Sequence, residues 1–256
     1  MNDILVKVQN MSKSFGGLKA IDNCSIEIKR NSITGIIGPN GSGKSTLFNL
    51  ITGNLKPDEG HIFYNGSDIT NQEPFELFNL GILRTFQIAH EFSNLTVIEN
   101  LMMVPGNQLG ENLITSIFLR DNFKKQENEI KEKAFEVLKF LKIDHLINEK
   151  AGNLSGGQKK LLELARTMMV DAKIVFLDEV GAGVNKSLLK EISDSILKLH
   201  EERKYTFCII EHDIDFITKL CDLVIVLAEG KVLFEGTARE VKENNEVINS
   251  YLGKNY

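Results

Sequence analysis

Cysteine is scarce in this 256-residue chain, and Cys24, Cys208 and Cys221 follow neither zinc-site nor redox-motif spacing. A disulfide-stapled fold and a cysteine-held metal are therefore excluded, and buried thiols in a reducing compartment are expected. Long hydrophobic runs are missing too. Leu223-Val224-Ile225-Val226-Leu227-Ala228 is among the longest, far short of the ~20 residues of a membrane-spanning helix. If the chain works at a membrane, another subunit must cross it. Residues 1–7 lack the apolar stretch of a secretory signal. No basic excess exists either: the formal net charge is −5, so no global field draws the chain onto nucleic acid or anionic lipid, and no nucleic-acid partner is expected. Internal repeats, low-complexity tracts and linkers are absent. What remains is 42% hydrophobic and 25% charged, the composition of an ordinary globular protein, long enough for one large domain or two small ones.

Periodicity divides the chain into three stretches. In the first, residues 4–8 and 20–28 alternate as strands, with a turn-rich link over 10–17. The apolar run Ile33-Thr34-Gly35-Ile36-Ile37 predicts a strand, and a helix follows that stops near Gly53. A short strand over 61–64, a helical turn or two over 74–78 and a strand over 81–87 complete this part. The middle stretch, to about Arg166, reads as helical: residues 96–103 with Thr96 as cap, then 125–142 with Ile130, Ala134, Val137, Leu138 and Leu141 on one face. Between them lies an apolar patch of Leu113, Ile114, Ile117, Phe118 and Leu119. Beyond it, buried strands at 173–179 and 206–210 alternate with helices at 187–200 and 213–220. A hairpin of 223–227 with 231–235 and a last helix over 238–252 follow. Buried strands alternating with helices imply a parallel sheet covered on both faces.

Between the strand at 33–37 and its helix stands Gly38-Pro39-Asn40-Gly41-Ser42-Gly43-Lys44-Ser45-Thr46, which satisfies the G-x-x-x-x-G-K-[ST] phosphate-loop pattern. The glycines allow a tight turn whose N–H groups can face an anion, and the helix start adds its positive dipole end. Lys44 would reach the β- and γ-phosphates and Ser45 would offer its hydroxyl to Mg²⁺. A chance glycine-rich turn is the bland alternative. Asp178 and Glu179 end the strand at 173–179; Asp178 would hold Mg²⁺ and Glu179 would polarise a water attacking the γ-phosphate. Read blandly, they are two solvated acids. Leu154-Ser155-Gly156-Gly157-Gln158 offers a helix cap and bare N–H groups, either a second phosphate-binding surface or an ordinary capped helix.

With that pentapeptide lying between the two other motifs, the chain resembles the ATP-binding cassette (ABC) ATPases over nearly its whole length. The resemblance implies an α/β phosphate-loop NTPase fold: a mainly parallel sheet, a small antiparallel β part and an inserted helical subdomain. One domain would span 1–256, with 1–87 and 167–256 as core and 88–166 as the helical subdomain. It implies ATP and Mg²⁺ as ligands. Gln87 would touch the metal, His212 would contact the γ-phosphate, and Phe15 would stack on adenine in place of the commoner tyrosine; a surface histidine and a core phenylalanine are the plain alternatives. Leu154, Ser155, Gly156, Gly157 and Gln158 would close over ATP held by a second subunit. Partners would be a second copy or a paralogous ATPase, and transmembrane permease subunits, at the cytoplasmic face of the cell membrane.

One stretch departs from the family pattern. Val180 stands where Pro is usual, and Asn185 where an Asp helps link the two sites of the pair. Coupling across the pair could therefore be weaker or differently arranged, while Glu179 keeps hydrolysis expected. Arg84-Thr85-Phe86-Gln87, the extended segment 105–131, residues 211–216 and the ending 247–253 are similar to the ATPase subunits of branched-chain amino acid importers. Lipopolysaccharide-export ATPases share part of this set, and a soluble, non-transport ABC ATPase or a regulator with little turnover is a further alternative.

Overall fold

The computed structural model describes residues 3–85, 91–106, 108 and 120–252. Its elements run β1 (Ile4–Phe15), β2 (Leu18–Lys29), β3 (Ile33–Ile37), α1 (Lys44–Ile51), β4 (Glu59–Tyr64), β5 (Ser67–Asp68), α2 (Pro74–Asn79) and β6 (Ile82–Arg84). Helices α3 (Val97–Met102), α4 (Arg120–Phe140) and α5 (Gly156–Met168) follow. Alternation then resumes as β7 (Ile174–Asp178), α6 (Lys186–Arg203), β8 (Thr206–Ile210), α7 (Ile214–Leu220), β9 (Leu223–Ala228), β10 (Lys231–Gly236), α8 (Ala238–Glu243) and α9 (Asn245–Leu252).

The residues fall into two compact units: 1–87 with 173–182 and 193–256, and 88–172 with 183–192. Residues 183–192 group with the helical unit, which a boundary drawn at 166/167 from periodicity does not anticipate. No helix among the described residues is long and apolar enough to cross a membrane.

The first unit carries both sheets. A four-stranded antiparallel sheet has the order β2-β1-β4-β5, and a six-stranded sheet the order β10-β9-β3-β8-β7-β6. In the larger sheet β9, β3, β8, β7 and β6 pair in parallel and β10 is an antiparallel edge. Every residue of β3, β7 and β8 is buried, which requires cover on both faces. Phe48 of α1 meets Phe176 of β7 edge-on at 5.0 Å. Three adjacent parallel strands, β3, β8 and β7, therefore deliver residues 38, 211 and 179 to one end of the sheet, where α/β folds bind ligands.

Two local departures from periodicity have clear causes. The predicted turn over 10–17 is absorbed into β1, because Asn10 adopts φ 50° and the register with β2 shifts between Val8 and Met11. Asparagine tolerates that left-handed conformation, so the strand bulges and continues, with Met11 fully buried. The single helix predicted over 238–252 is two, since the Asn244 side chain accepts from the N–H groups of Glu246 (2.8 Å) and Val247 (3.1 Å) and starts α9 anew.

The second unit is helical. Thr96 caps α3 in a reciprocal box with Glu99. Val97 and Leu101 of α3 are buried, as are Ala134, Val137 and Leu138 of α4 and Leu141 beyond it, while Ile130 is half-buried. Lys133 Nζ donates to the carbonyl of Met169, 2.9 Å away. The predicted apolar patch of Leu113 to Leu119 lies outside the described residues.

Candidate nucleotide site

The loop after β3 is held open by contacts that only glycine allows. Gly43, the N-cap of α1, has φ 101°, and a Cβ there would sit 2.4 Å from the carbonyl oxygen of Ala20. It supplies no side-chain cap, so the first N–H groups of α1 are left for an anion. The β9–β10 turn fastens the loop from the other side: Gly230 N donates to Ser42 O at 3.1 Å, and Asp22 N donates to Gly230 O at 2.9 Å. Lys44 Nζ donates to the carbonyls of Gly38 (2.9 Å) and Pro39 (3.0 Å). Burial pulls the Lys44 ammonium below its usual range, against the attraction of Glu179 and Asp178. Ser42 Oγ is buried with no hydrogen-bond partner among the described residues.

A cavity of about 650 Å³ opens beside the loop, lined by Phe15, Leu18, Lys19, Ala20, Asn40, Gly41, Gly43, Lys44, Ser45, Thr46, Glu179, His212 and Glu229. Most residues predicted to hold nucleotide thus face one space. Phe15 is half exposed on its wall. Gly38, Pro39 and Ser42 shape the loop without lining the cavity.

Asp178 lies deeper and is not on the cavity wall. Its carboxylate is buried and accepts from Arg84 Nη2 at 2.7 Å. The same guanidinium donates to Asn49 Oδ1 of α1 and lies 5.8 Å from the centre of the Phe48 ring. Glu179, next along, has φ 49°, a left-handed conformation uncommon for a residue with a Cβ. It brings Glu179 Oε1 to 2.9 Å from His212 Nε2. The Glu211 carboxylate accepts from Gly181 N (2.5 Å) and His212 N (3.1 Å), and burial pushes it above the usual glutamate range.

In the helical unit, Leu154 is buried and Ser155 caps α5. Gln158 N donates to Ser155 Oγ at 3.4 Å and Ser155 N donates to Gln158 Oε1 at 2.9 Å. The two glycines differ. A Cβ on Gly156 would meet almost nothing, whereas one on Gly157 would fall 1.9 Å from Leu188 Cδ2.

These geometries can be set beside known proteins. The ABC transporter family model matches residues 21–182. The chain belongs to that family. A probable branched-chain amino acid transport ATP-binding protein of Archaeoglobus fulgidus is 45% identical over 249 residues, 97% of this chain and 95% of that protein. The crystal structure of a nucleotide-free ATP-binding cassette from an ABC transporter has a TM-score of 0.85 at 41% identity, covering 98% of this chain and all of the other. A dimeric cassette in a post-hydrolysis state bound to ADP and phosphate has a TM-score of 0.75 at 28% identity, covering 92% of this chain and 99% of that one. This ABC protein is therefore a nucleotide-binding ATPase with the α/β cassette fold.

Within this ABC cassette, Gln87 lies outside the described residues. Val180, the replacement for proline, is buried, and its neighbour Gly181 uses its N–H on Glu211. Asn185 Oδ1 accepts from Leu188 N at 2.9 Å, capping α6 as an aspartate would. Sequence reasoning passed over Arg84, Glu211, Leu18 and Glu229. Arg84 left one trace, a cation directly after the buried Ile82 and Leu83 of β6, and Glu211 another, an acid at the end of a fully buried strand. Leu18 and Glu229 left none, because folding alone brings their two turns to the cavity.

Proposed function

We propose that this chain is the ATP-hydrolysing subunit of an importer of branched-chain or related amino acids, bound at the cytoplasmic face of the membrane to permease subunits. The observation that carries the reading is the phosphate loop opening onto the same cavity as the Glu179–His212 pair, in a chain aligned almost end to end with a relative named for that transport. Phe15 stacks on adenine, and the loop N–H groups with Thr46 receive the phosphates. Lys44 exchanges the carbonyls of Gly38 and Pro39 for β- and γ-phosphate oxygens. Glu179 takes a proton from the attacking water, and His212 holds the γ-phosphate side of the pocket and fixes the Glu179 carboxylate.

The residues that would hold Mg²⁺ are Ser45, through its hydroxyl, Asp178 and Gln87. Oxygen donors fit a hard cation that keeps much of its own water. Among the described residues no group of three or more His, Cys, Asp or Glu side chains could hold a metal. With Asp178 engaged by Arg84, its remaining acceptor sites suit a water of the metal's shell. When bound, Mg²⁺ screens the charge of the phosphate oxygens. Ser155, Gly156 and Gly157 of a second copy, or of a paralogous subunit, close over the nucleotide, so that ATP forms part of the interface and hydrolysis loosens it. The dimeric relative holding ADP and phosphate supports that arrangement.

ATP turnover of the purified chain and of Glu179→Gln tests the reading. A loss of about 10²- to 10⁴-fold is expected, as for a removed general base, together with an ATP-dependent dimer of the variant. Background turnover by the wild type and no dimer in the variant would sink it.

A further inference from the structure

Glu211 is a buried acid with, among the described residues, no lysine or arginine ion pair; it is 4% exposed. A carboxylate in that position is costly unless its oxygens are hydrogen-bonded. Both are, and both to backbone: Oε1 to the N–H of Gly181 and Oε2 to that of His212. The two amides belong to the segments that carry Glu179 and His212, at the ends of the neighbouring strands β7 and β8.

Glu179 needs such help. Its left-handed backbone (φ 49°) persists only where the surroundings over-determine it. Three bonds do so. Glu179 N donates to Ile210 O at 2.9 Å, Ala182 N donates to Glu179 O at 3.2 Å, and Gly181 N donates to Glu211. The first two are backbone bonds, one to the neighbouring strand β8 and one within the turn itself. The third depends on one side chain, and it ties the turn after Glu179 to the residue adjoining His212. A proline at 180 would stiffen this turn by itself; here Val180 occupies that position, and the brace comes from across the sheet.

We propose that Glu211 is a positioning residue for ATP hydrolysis, a carboxylate strut that holds the turn carrying Glu179 and the backbone of His212 in register so that their side chains meet. The proposal rests on the reading of Glu179 and His212 as the hydrolytic pair. Glu211 does not line the cavity, so binding of ADP, which lacks the γ-phosphate, does not depend on it. Glutamine keeps the size but offers one acceptor oxygen, so one of the two N–H groups would face its NH₂; alanine removes both acceptors.

The test uses the full chain and the variants Glu211→Gln, Glu211→Ala, Glu179→Gln and the Glu179→Gln/Glu211→Ala double. ATP turnover, KM for ATP and ADP affinity by calorimetry are measured. A loosened catalytic group predicts kcat down by about tenfold in Glu211→Gln and up to about 10²-fold in Glu211→Ala. KM and ADP affinity stay within about twofold, the pattern of an interaction used in the transition state. The double variant is no slower than Glu179→Gln, since Glu211 acts through Glu179. Unchanged kcat in both Glu211 variants, a matching fall in ADP affinity, or additive losses in the double would each overturn the proposal. Full turnover by Glu179→Gln would overturn it along with the reading beneath it, whereas a slow Glu179→Gln beside unaffected Glu211 variants would remove the strut alone.

Discussion

Two helices in this chain begin on glycine-rich turns, and they begin differently. At α1 the cap is Gly43, which has no side chain and a conformation that excludes one. At α5 the cap is Ser155, locked in a reciprocal box with Gln158. The first start leaves its N–H groups to be satisfied by something that is not protein. The second has satisfied part of its own need before any ligand comes. Glycine serves different ends as well: Gly43 admits the carbonyl of Ala20 and a left-handed backbone, while Gly157 makes room for the Leu188 side chain. On the reading proposed above, the first start binds phosphate on its own. The second, on the same reading, is a preformed surface that closes over a ligand held by another subunit.

The same substitution at both starts separates them most sharply. Gly43→Ala meets backbone and cannot relax, so nucleotide affinity is expected to fall by about 10²-fold or more, the scale of backbone strain and close overlap together; ADP titration by calorimetry reads it. Gly157→Ala meets the end of a flexible leucine. It should destabilise by about 1–3 kcal/mol, as for an overpacked core position, and leave ADP affinity near wild type; denaturant unfolding beside the same titration decides. Ser155→Ala should act least on stability, at about 1 kcal/mol for a lost cap, and leave nucleotide binding by the isolated chain unchanged. In the Glu179→Gln background it should nonetheless abolish the ATP-dependent dimer, measured by sedimentation. If Gly157→Ala weakened ADP binding as much as Gly43→Ala, the contrast between the two starts would be lost.

Most of the candidate nucleotide site was legible because its determinants are local. A phosphate loop between a buried strand and a helix, two acids at the end of β7 and a histidine after β8 each announce themselves within a few residues. β3 and β8 were readable to the residue because they are short, mostly apolar runs, buried along their whole length. β1 was not, since a bulge at Asn10 depends on the partner strand that continues beyond it. Arg84 and Glu211 escaped for a related reason. A buried charge is explained only by what it pairs with, and Arg84 meets Asp178 94 positions away while Glu211 meets Gly181 30 positions away.

By itself, then, the sequence determined the chemical inventory of this protein: the glycines that permit the loop, the lysine, the acids, the histidine and the pentapeptide that starts α5. These are matters of side-chain chemistry and of conformations written into single residues. Tertiary structure alone decided how that inventory is aimed. The order β3-β8-β7 sets the histidine segment between the phosphate loop and the acids. The β9–β10 turn fastens the loop, and the buried carboxylate of Glu211 fixes the turn behind Glu179. Such contacts join residues far apart in the chain, so their energies exist only once the strands have paired.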